Sequence, residues 1–505
     1  MKLAELIHDL PGCRLLGSGD GEIAGLYYDS RNVEADGAFF ALRGATVDGH
    51  RFVADALARG ARAIFTEQEM ELPAGVSGVL VDNARLAMAR VAARFAGEPT
   101  AEIPVVGVTG TNGKTTVTYL VEAILRSAGL LPAVMGTINY RFSDRLLPSL
   151  HTTPESVDLL QTVAGFRREG ADALVMEVSS HALDQFRVDG VNFDVGVFTN
   201  LTPEHLDYHG TMEDYFASKS RFFADLLTGG KGGVINVDDS YGRQLAKRFP
   251  SAMTCGTSER ADLFPRQVRL SLNGIEAELE TPAGTISVRS RLIGHFNLQN
   301  LLCAVGAGVA LGLPLSAIAD GLERAPQVPG RLERIENDRK ALILVDYAHT
   351  GDALEKVLQA VGELSPARLL TVFGCGGDRD RRKRPVMGEV AARYSTLAVL
   401  TSDNPRTEDP LAILDEVRGG CLQVHDREWS VEEAQKLAGR GFVTIADRAA
   451  AIAFAVSLLG ENDLLLVAGK GHEDYQILGT RRIHFDDREE VRRALGRLEA
   501  SINEP

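Results

Sequence analysis

The stretch that most constrains this chain is Ile103-Pro-Val-Val-Gly-Val108, which runs into Thr109-Gly110-Thr111-Asn112-Gly113-Lys114-Thr115-Thr116 and then VTYLVEAILRSAG. A continuous β-branched run has no polar face to offer water, so it reads as a strand buried on both sides, as in a parallel sheet. The glycines after it let backbone N–H groups close around an oxyanion, and the helix that follows points its positive end at the same place. Lys114 adds a point charge for terminal phosphates, and Thr115 can reach a magnesium ion. Together these predict a phosphate-binding loop. The generic pattern wants glycine where this chain has Val108, so the loop is a variant.

Such a loop serves switches, motors, kinases and ligases alike, so the rest of the chain must decide. Its 505 residues, 45% of them hydrophobic, allow about three domains at roughly 150 residues each. Fifty-four basic against 69 acidic residues leave a net charge of −15, which argues against a generic binder of nucleic acid or anionic membrane. A polyanionic ligand must therefore be held by a local site. Five cysteines without a CxxC pair suggest neither disulfides nor zinc, which fits a reducing cytoplasm. Glu5, His8 and Asp9 interrupt what a secretory segment would need as its apolar core. The uncharged run Leu301–Ala319 is divided by Gly312, Leu313 and Pro314, and is expected to form two buried helices meeting at a turn rather than a membrane span.

Three blocks follow. Residues 1–100 alternate short apolar strands with Ala-rich helices and predict a small α/β domain. Residues 101–328 contain the loop and further buried runs at Ala173–Met176 and Val195–Phe198, as expected of a mostly parallel sheet wrapped by helices. After the proline-rich turn 325–330, residues 329–505 offer four more strands ending in polar or Gly-rich loops, a doubly wound, Rossmann-like domain.

Glu177 closes the run Ala173–Met176, placing a carboxylate beside the loop where a magnesium ligand is needed. The next strand end delivers His205 and Asp207. In MEDYFASKSRFFADLL the residues Met212, Tyr215, Phe216, Phe222, Phe223 and Leu226 mark one apolar helix face with Lys219 in its middle. An ammonium there must snorkel, find a carboxylate or lose its charge, and a neutral amine can add carbon dioxide to become an anionic carbamate. The pattern by itself favours snorkelling or pairing. The cluster Arg379, Arg381, Arg382, Lys383, Arg384 follows a strand end and reads as a solvated loop or a carboxylate-binding one.

The motifs GTNGKTT, HTTPES, EVSSHAL, FTNLTPEHLDYHG, the lysine at 219, GHFNLQN, PGRLE, DYAHT, FGCGGDRD, DNPR and GKGHEDYQ occur in one order along nearly the whole chain. In this the sequence resembles the Mur ligase family of ATP-dependent, amide-bond-forming enzymes of peptidoglycan synthesis. The resemblance implies three domains that bind in turn a UDP-muramoyl substrate, ATP and an amino acid. It points to a member that adds meso-diaminopimelate to UDP-N-acetylmuramoyl-L-alanyl-D-glutamate.

It further implies ATP contacts from Gly110, Thr111, Asn112, Gly113, Lys114, Thr115 and Thr116, with Asn297 and Asn300 at the adenine and Arg331 and Asp346 completing the site. Lys114, Lys219 and His205 would be catalytic. Two magnesium ions would be held by Thr115, Glu177, His205 and Lys219 as its carbon dioxide-derived carbamate. Ser30, Thr152, Thr153, Ser179, Gln185 and Arg187 match positions for the UDP-muramoyl-dipeptide, and Arg379, Asp403, Asn404, Pro405, Arg406, Gly469 and Glu473 match positions for meso-diaminopimelate. Expected partners are these small molecules alone, with no nucleic acid and no membrane insertion, and the chain is expected to be a cytoplasmic monomer. Gly351 departs from the family's usual proline, and the charged stretch 425–440 reads as a surface insertion. A nucleotide switch is disfavoured by the absence of an Asn-Lys-x-Asp guanine motif. Folylpolyglutamate synthetase remains the nearest rival of the same class.

Overall fold

The computed structural model describes residues 1–44, 47–227, 232–271 and 273–503, and these form two compact units. The first unit holds two sheets. The N-terminal one has five strands in the spatial order Arg14–Leu16, Ser77–Leu80, Ala61–Thr66, Gly37–Phe40, Gly25–Tyr27. All neighbours are parallel except the first pair. Its inward rings Phe40 and Phe65 stack at 4.3 Å, within an apolar core that continues into the second sheet through Val105, Leu174 and Met176.

The second sheet has eight strands, and their order explains the position of the loop. Val105–Thr109 lies centrally, with Ala173–Glu177 on one side and Val195–Phe198 on the other, all parallel. Gly232–Asn236 and Met253–Cys255 extend one edge, and Pro132–Met135 the other, before two antiparallel strands, Asn139–Phe142 and Arg145–Pro148. The chain thus leaves its central strand at a switch point, where ligand crevices open at the carboxyl ends of parallel strands.

Helix Met212–Arg221 is capped by the Thr211 side chain, which accepts from Asp214 N–H, and runs on into a π-helical turn, Phe222–Leu226. Phe222 is fully buried and meets Phe193 edge to face at 4.8 Å; burying such a ring stabilises by roughly 1.5–3 kcal/mol. The uncharged run around Gly312 forms helices His295–Ala310 and Leu315–Arg324. The second of them is not wholly buried as expected, because only Ile318, Gly321 and Leu322 turn inward. Among the described residues no helix is long and apolar enough to cross a membrane.

The second unit is built on six strands in the order Glu333–Ile335, Leu342–Asp346, Leu464–Ala468, Leu369–Phe373, Leu397–Leu400, Gly441–Thr444. Only the first pairing is antiparallel. Two apolar cores cover its faces. The stretch 425–440 is more than a surface insertion: Ser430 caps helix Val431–Lys436, Ala434 is buried, and Trp429 packs against one of these cores.

Candidate active site

In the first unit, Gly110 and Gly113 adopt φ of +144° and +88°. A Cβ at Gly110 would lie 1.9 Å from Thr199 Oγ1, and one at Gly113 would lie 2.3 Å from Asn300 Oδ1, so only glycine fits either place. The loop is clamped by the next strand's end. Thr111 N–H donates to Asn200 O at 2.9 Å, Asn112 N–H to Asn200 Oδ1 at 2.9 Å, and Thr199 Oγ1 to Asn112 O at 2.6 Å. Thr115 and Thr116 open helix Lys114–Ser127 and are buried.

Lys114 Nζ donates to the carbonyls of Gly110 and Thr111, at 2.9 and 2.8 Å. Lys219 is only 1% exposed; its Nζ donates to the same Gly110 carbonyl at 3.0 Å and stands 4.9 Å from the Tyr215 ring centroid. Among the described residues Lys219 neither snorkels to solvent nor meets a carboxylate, the two outcomes the helix pattern by itself favoured. Burial, and then the charge of Lys114, hold the Lys219 amine well below the usual lysine range, against a weaker pull from Glu204.

Glu177 is equally buried and accepts from Thr137 N–H at 2.9 Å and Thr137 Oγ1 at 3.0 Å. Thr137 Oγ1 in turn meets Thr152 Oγ1 at 3.0 Å, and Thr153 Oγ1 donates to Glu177 O at 2.9 Å. The nucleotide-sugar positions and the expected metal ligand therefore share one network. Arg187 extends it, donating to Thr153 O and Gln185 Oε1 at 3.0 and 2.7 Å and pairing with Glu155 at 3.1 Å. Ser179 caps helix Ser180–Asp184, and Ser30 is buried in a turn of the N-terminal sheet domain.

His205 is exposed and lies in the left-handed region (φ +56°), its ring 4.9 Å from that of His181. Partial burial lowers its basicity, Glu204 raises it, and Lys114 and Lys219 lower it. Asp207 is exposed. Around the His205 ring, His181, Tyr208, His209 and Tyr215 form a ring cluster; sequence reasoning assigned these residues no shared role, and it did not single out Thr137 or Thr199. Among the described residues no three His, Cys, Asp or Glu side chains converge as a ready-made metal cluster.

In the second unit, Asp346 is buried and accepts from Leu332 and Ala348 N–H, both at 2.8 Å. Burial raises its carboxyl and Arg331 opposes the rise. The Arg331 guanidinium lies 4.7 Å from the Tyr347 ring centroid. Asn297 Nδ2 donates to Ile293 O at 2.8 Å.

Asp403 and Asn404 are buried at a strand end, and Gln476 Nε2 donates to Asp403 O at 2.6 Å. Arg406, after Pro405, has φ +52° and donates from Nη1 to Gly377 O at 2.7 Å. Asn404 Nδ2 donates to Glu473 Oε2 at 3.1 Å, and Gly469 (φ +116°) adjoins Asp403. Arg379 is exposed at the rim. The rest of the basic cluster is no open carboxylate receptor. Arg381 pairs with Glu416, Arg382 with Asp380, and buried Arg384 with both Glu408 and Glu416, while Lys383 donates to His349 O.

A glycine-rich loop at the switch point of one mostly parallel sheet, with a second doubly wound unit carrying a charged cluster at its own strand ends, defines an α/β enzyme of the phosphate-loop class. The chain belongs to the Mur ligase family, whose members are ATP-dependent amide-bond-forming ligases. Family models described as "Mur ligase family, catalytic domain", "Mur ligase middle domain" and "Mur ligase, glutamate ligase domain" match residues 22–96, 108–308 and 330–471. A protein of Geobacter metallireducens named UDP-N-acetylmuramoyl-L-alanyl-D-glutamate--2,6-diaminopimelate ligase is 53% identical, over 99% of each chain. One of the same name from Geobacter sulfurreducens is 52% identical over 97% of this chain and 98% of its own. A solved structure of a ligase with that name is 33% identical over 99% of each chain, with a TM-score of 0.73.

Proposed function

We propose that this chain joins meso-diaminopimelate to the D-glutamyl carboxylate of UDP-N-acetylmuramoyl-L-alanyl-D-glutamate, consuming ATP. The observation that carries the reading is the convergence of Lys114 and Lys219 on one carbonyl, that of Gly110. Burial first, and then repulsion between two ammonium groups so placed, weaken the hold of the buried amine on its proton. As a neutral amine it can add carbon dioxide, and the resulting carbamate is an anion beside Lys114. A nucleotide switch has no use for such a group, whereas a ligase that handles a phosphoryl group and an acyl phosphate does.

A carboxylate is a poor acyl donor, so the γ-phosphoryl group of ATP passes to it first, with Lys114 stabilising charge on the transferring oxygens. The amine of the incoming amino acid attacks the acyl phosphate, and the tetrahedral intermediate expels phosphate. Magnesium, at two sites, would supply further positive charge to the transferring group. Thr115, Glu177, His205 and the Lys219 carbamate are the residues that would hold it, and the carbamate provides the anionic donor that the histidine and carboxylate side chains alone leave short. Gly110 to Thr116, with Asn297, Asn300, Arg331 and Asp346, are assigned to the nucleotide. Ser30, Thr152, Thr153, Ser179, Gln185 and Arg187 are assigned to the UDP-muramoyl-dipeptide. Arg379, Asp403 to Arg406, Gly469 and Glu473 take the amino acid. The reading has domains at 1–100, 101–328 and 329–505 and a cytoplasmic monomer acting on small molecules.

Incubation with ATP, the nucleotide-sugar dipeptide and each acceptor in turn, following phosphate release, tests it. Release should require both the dipeptide and meso-diaminopimelate. Release dependent on a folate acceptor, or on ATP alone, would overturn it.

A further inference from the structure

Two residues beyond the strand Leu464–Ala468 stands Lys470. The Lys470 side chain is 0% exposed, and its Nζ lies 3.2 Å from Asp403 Oδ1, 3.3 Å from Asn404 Oδ1 and 3.6 Å from Glu473 Oε2. An ammonium has three N–H donors, and here each faces a separate oxygen, with the Tyr475 ring centroid 5.5 Å away. The lysine also fixes which way the Asn404 amide points. Oδ1 accepts from both Lys470 and Ile477 N–H, so Nδ2 must turn to Glu473, where it donates at 3.1 Å. The base of the pocket is held just as firmly. Buried Arg448 pairs with Asp487 at 2.6 Å and donates to Ala468 O at 2.9 Å, two residues before Lys470.

We propose that Lys470 is the positioning residue of the amino-acid pocket, locking Asp403, Asn404 and Glu473 into one array and leaving two carboxylates against one internal ammonium. The group then keeps one net negative charge, which suits one incoming ammonium. The inference rests on the reading of the Asp403–Arg406 loop given above. Its physical basis is like-charge repulsion. Burial pushes the Glu473 carboxyl up, Lys470 pulls it down, and Asp403 pushes it up again. Without the lysine, Glu473 takes up a proton more readily and its acceptor oxygen is lost to the substrate.

The test uses the full-length enzyme with meso-diaminopimelate and L-lysine as acceptors, comparing the unmodified protein with Lys470→Met, Glu473→Gln and the double variant. In Lys470→Met the KM for meso-diaminopimelate should rise roughly tenfold to a hundredfold, as for a lost charge-assisted contact, while the KM for ATP stays put. That KM should also fall with rising pH in the variant, as Glu473 ionises, and change less in the unmodified enzyme. Should Lys470→Met fail to fold, the double variant carries the test, since a neutral pair replaces a buried charged one. Its KM should rise by clearly less than the product of the two single effects, because the lysine acts in part through Glu473.

An unchanged KM in Lys470→Met, a loss wholly in kcat, or effects that multiply in the double variant would each overturn the inference while leaving the loop reading intact. An unmodified enzyme that does not prefer meso-diaminopimelate to lysine overturns both.

Discussion

The Lys219 amine donates to the Gly110 carbonyl across 3.0 Å, which places the one lysine of an apolar helix face against the turn of the phosphate loop. Replacement of Lys219 by Ala should therefore lower kcat by about 10²-fold or more, the scale of losing a charge-stabilising group. A short carboxylate such as formate should restore part of it by occupying the space of the proposed carbamate. Lys219→Met, which keeps the volume, separates chemistry from packing. Near-normal kcat with a depressed Tm would show the lysine to be merely structural.

Lys114 donates to the same carbonyl at 2.9 Å. Lys114→Ala should abolish acyl phosphate formation yet leave binding of the UDP-muramoyl-dipeptide largely intact, because Thr152, Thr153 and Arg187 belong to the separate network around Glu177. Calorimetry is the direct measurement. Loss of nucleotide-sugar binding in this variant would contradict that division.

These two lysines were legible in the sequence because each is defined by near neighbours. Lys114 follows a glycine-rich turn, and Lys219 sits three or four residues from Tyr215, Phe216, Phe222 and Phe223. What stayed hidden depends on strand order. Thr137 reaches Glu177, 40 residues away, only because Pro132–Met135 and Ala173–Glu177 lie side by side. The acids that neutralise Arg381 and Arg384 come from Glu408 and Glu416, beyond the next strand. Lys470 lay inside a quoted motif, but its burial depends on Asp403, 67 residues earlier. Helix Leu315–Arg324 is uncharged as far as Ala319 yet only partly covered, since apolar composition alone does not say which side is covered.

His472 gives a pH dependence. Its ring packs 5.0 Å from that of Tyr347, and burial, then Arg331 and Arg488, push it down to about 4 from 6.5. Between those values the unfolded chain binds more protons than the folded one, so stability falls as pH drops. The contribution is fully present above pH 6.5 and is lost as pH falls towards about 4. A shift of this size corresponds to about 3 kcal/mol. The difference between Tm–pH curves of the unmodified protein and His472→Gln should appear in that window alone. Parallel curves from pH 7 to 4 would refute it.

On the proposed function, the choice of amino acid turns on Arg406. Its backbone is tied to the hairpin Tyr475–His484, N–H to Ile477 O at 3.1 Å and O from Gly479 N–H at 2.8 Å, so the side chain starts from a fixed point. The Gly377 carbonyl uses one of its five guanidinium donors, and a planar fork remains for a carboxylate. meso-Diaminopimelate differs from lysine by one such carboxylate at its far end. A site built around a buried charge pair rejects an analogue lacking its partner by roughly 10⁴ or more, so L-lysine should be a very poor substrate. Arg406→Ala should lose roughly 10²-fold or more in kcat/KM for meso-diaminopimelate, with little change for lysine, because only the former presents the group that arginine recognises. Equal kcat/KM for the two amino acids in the unmodified enzyme would leave Arg406 without that role.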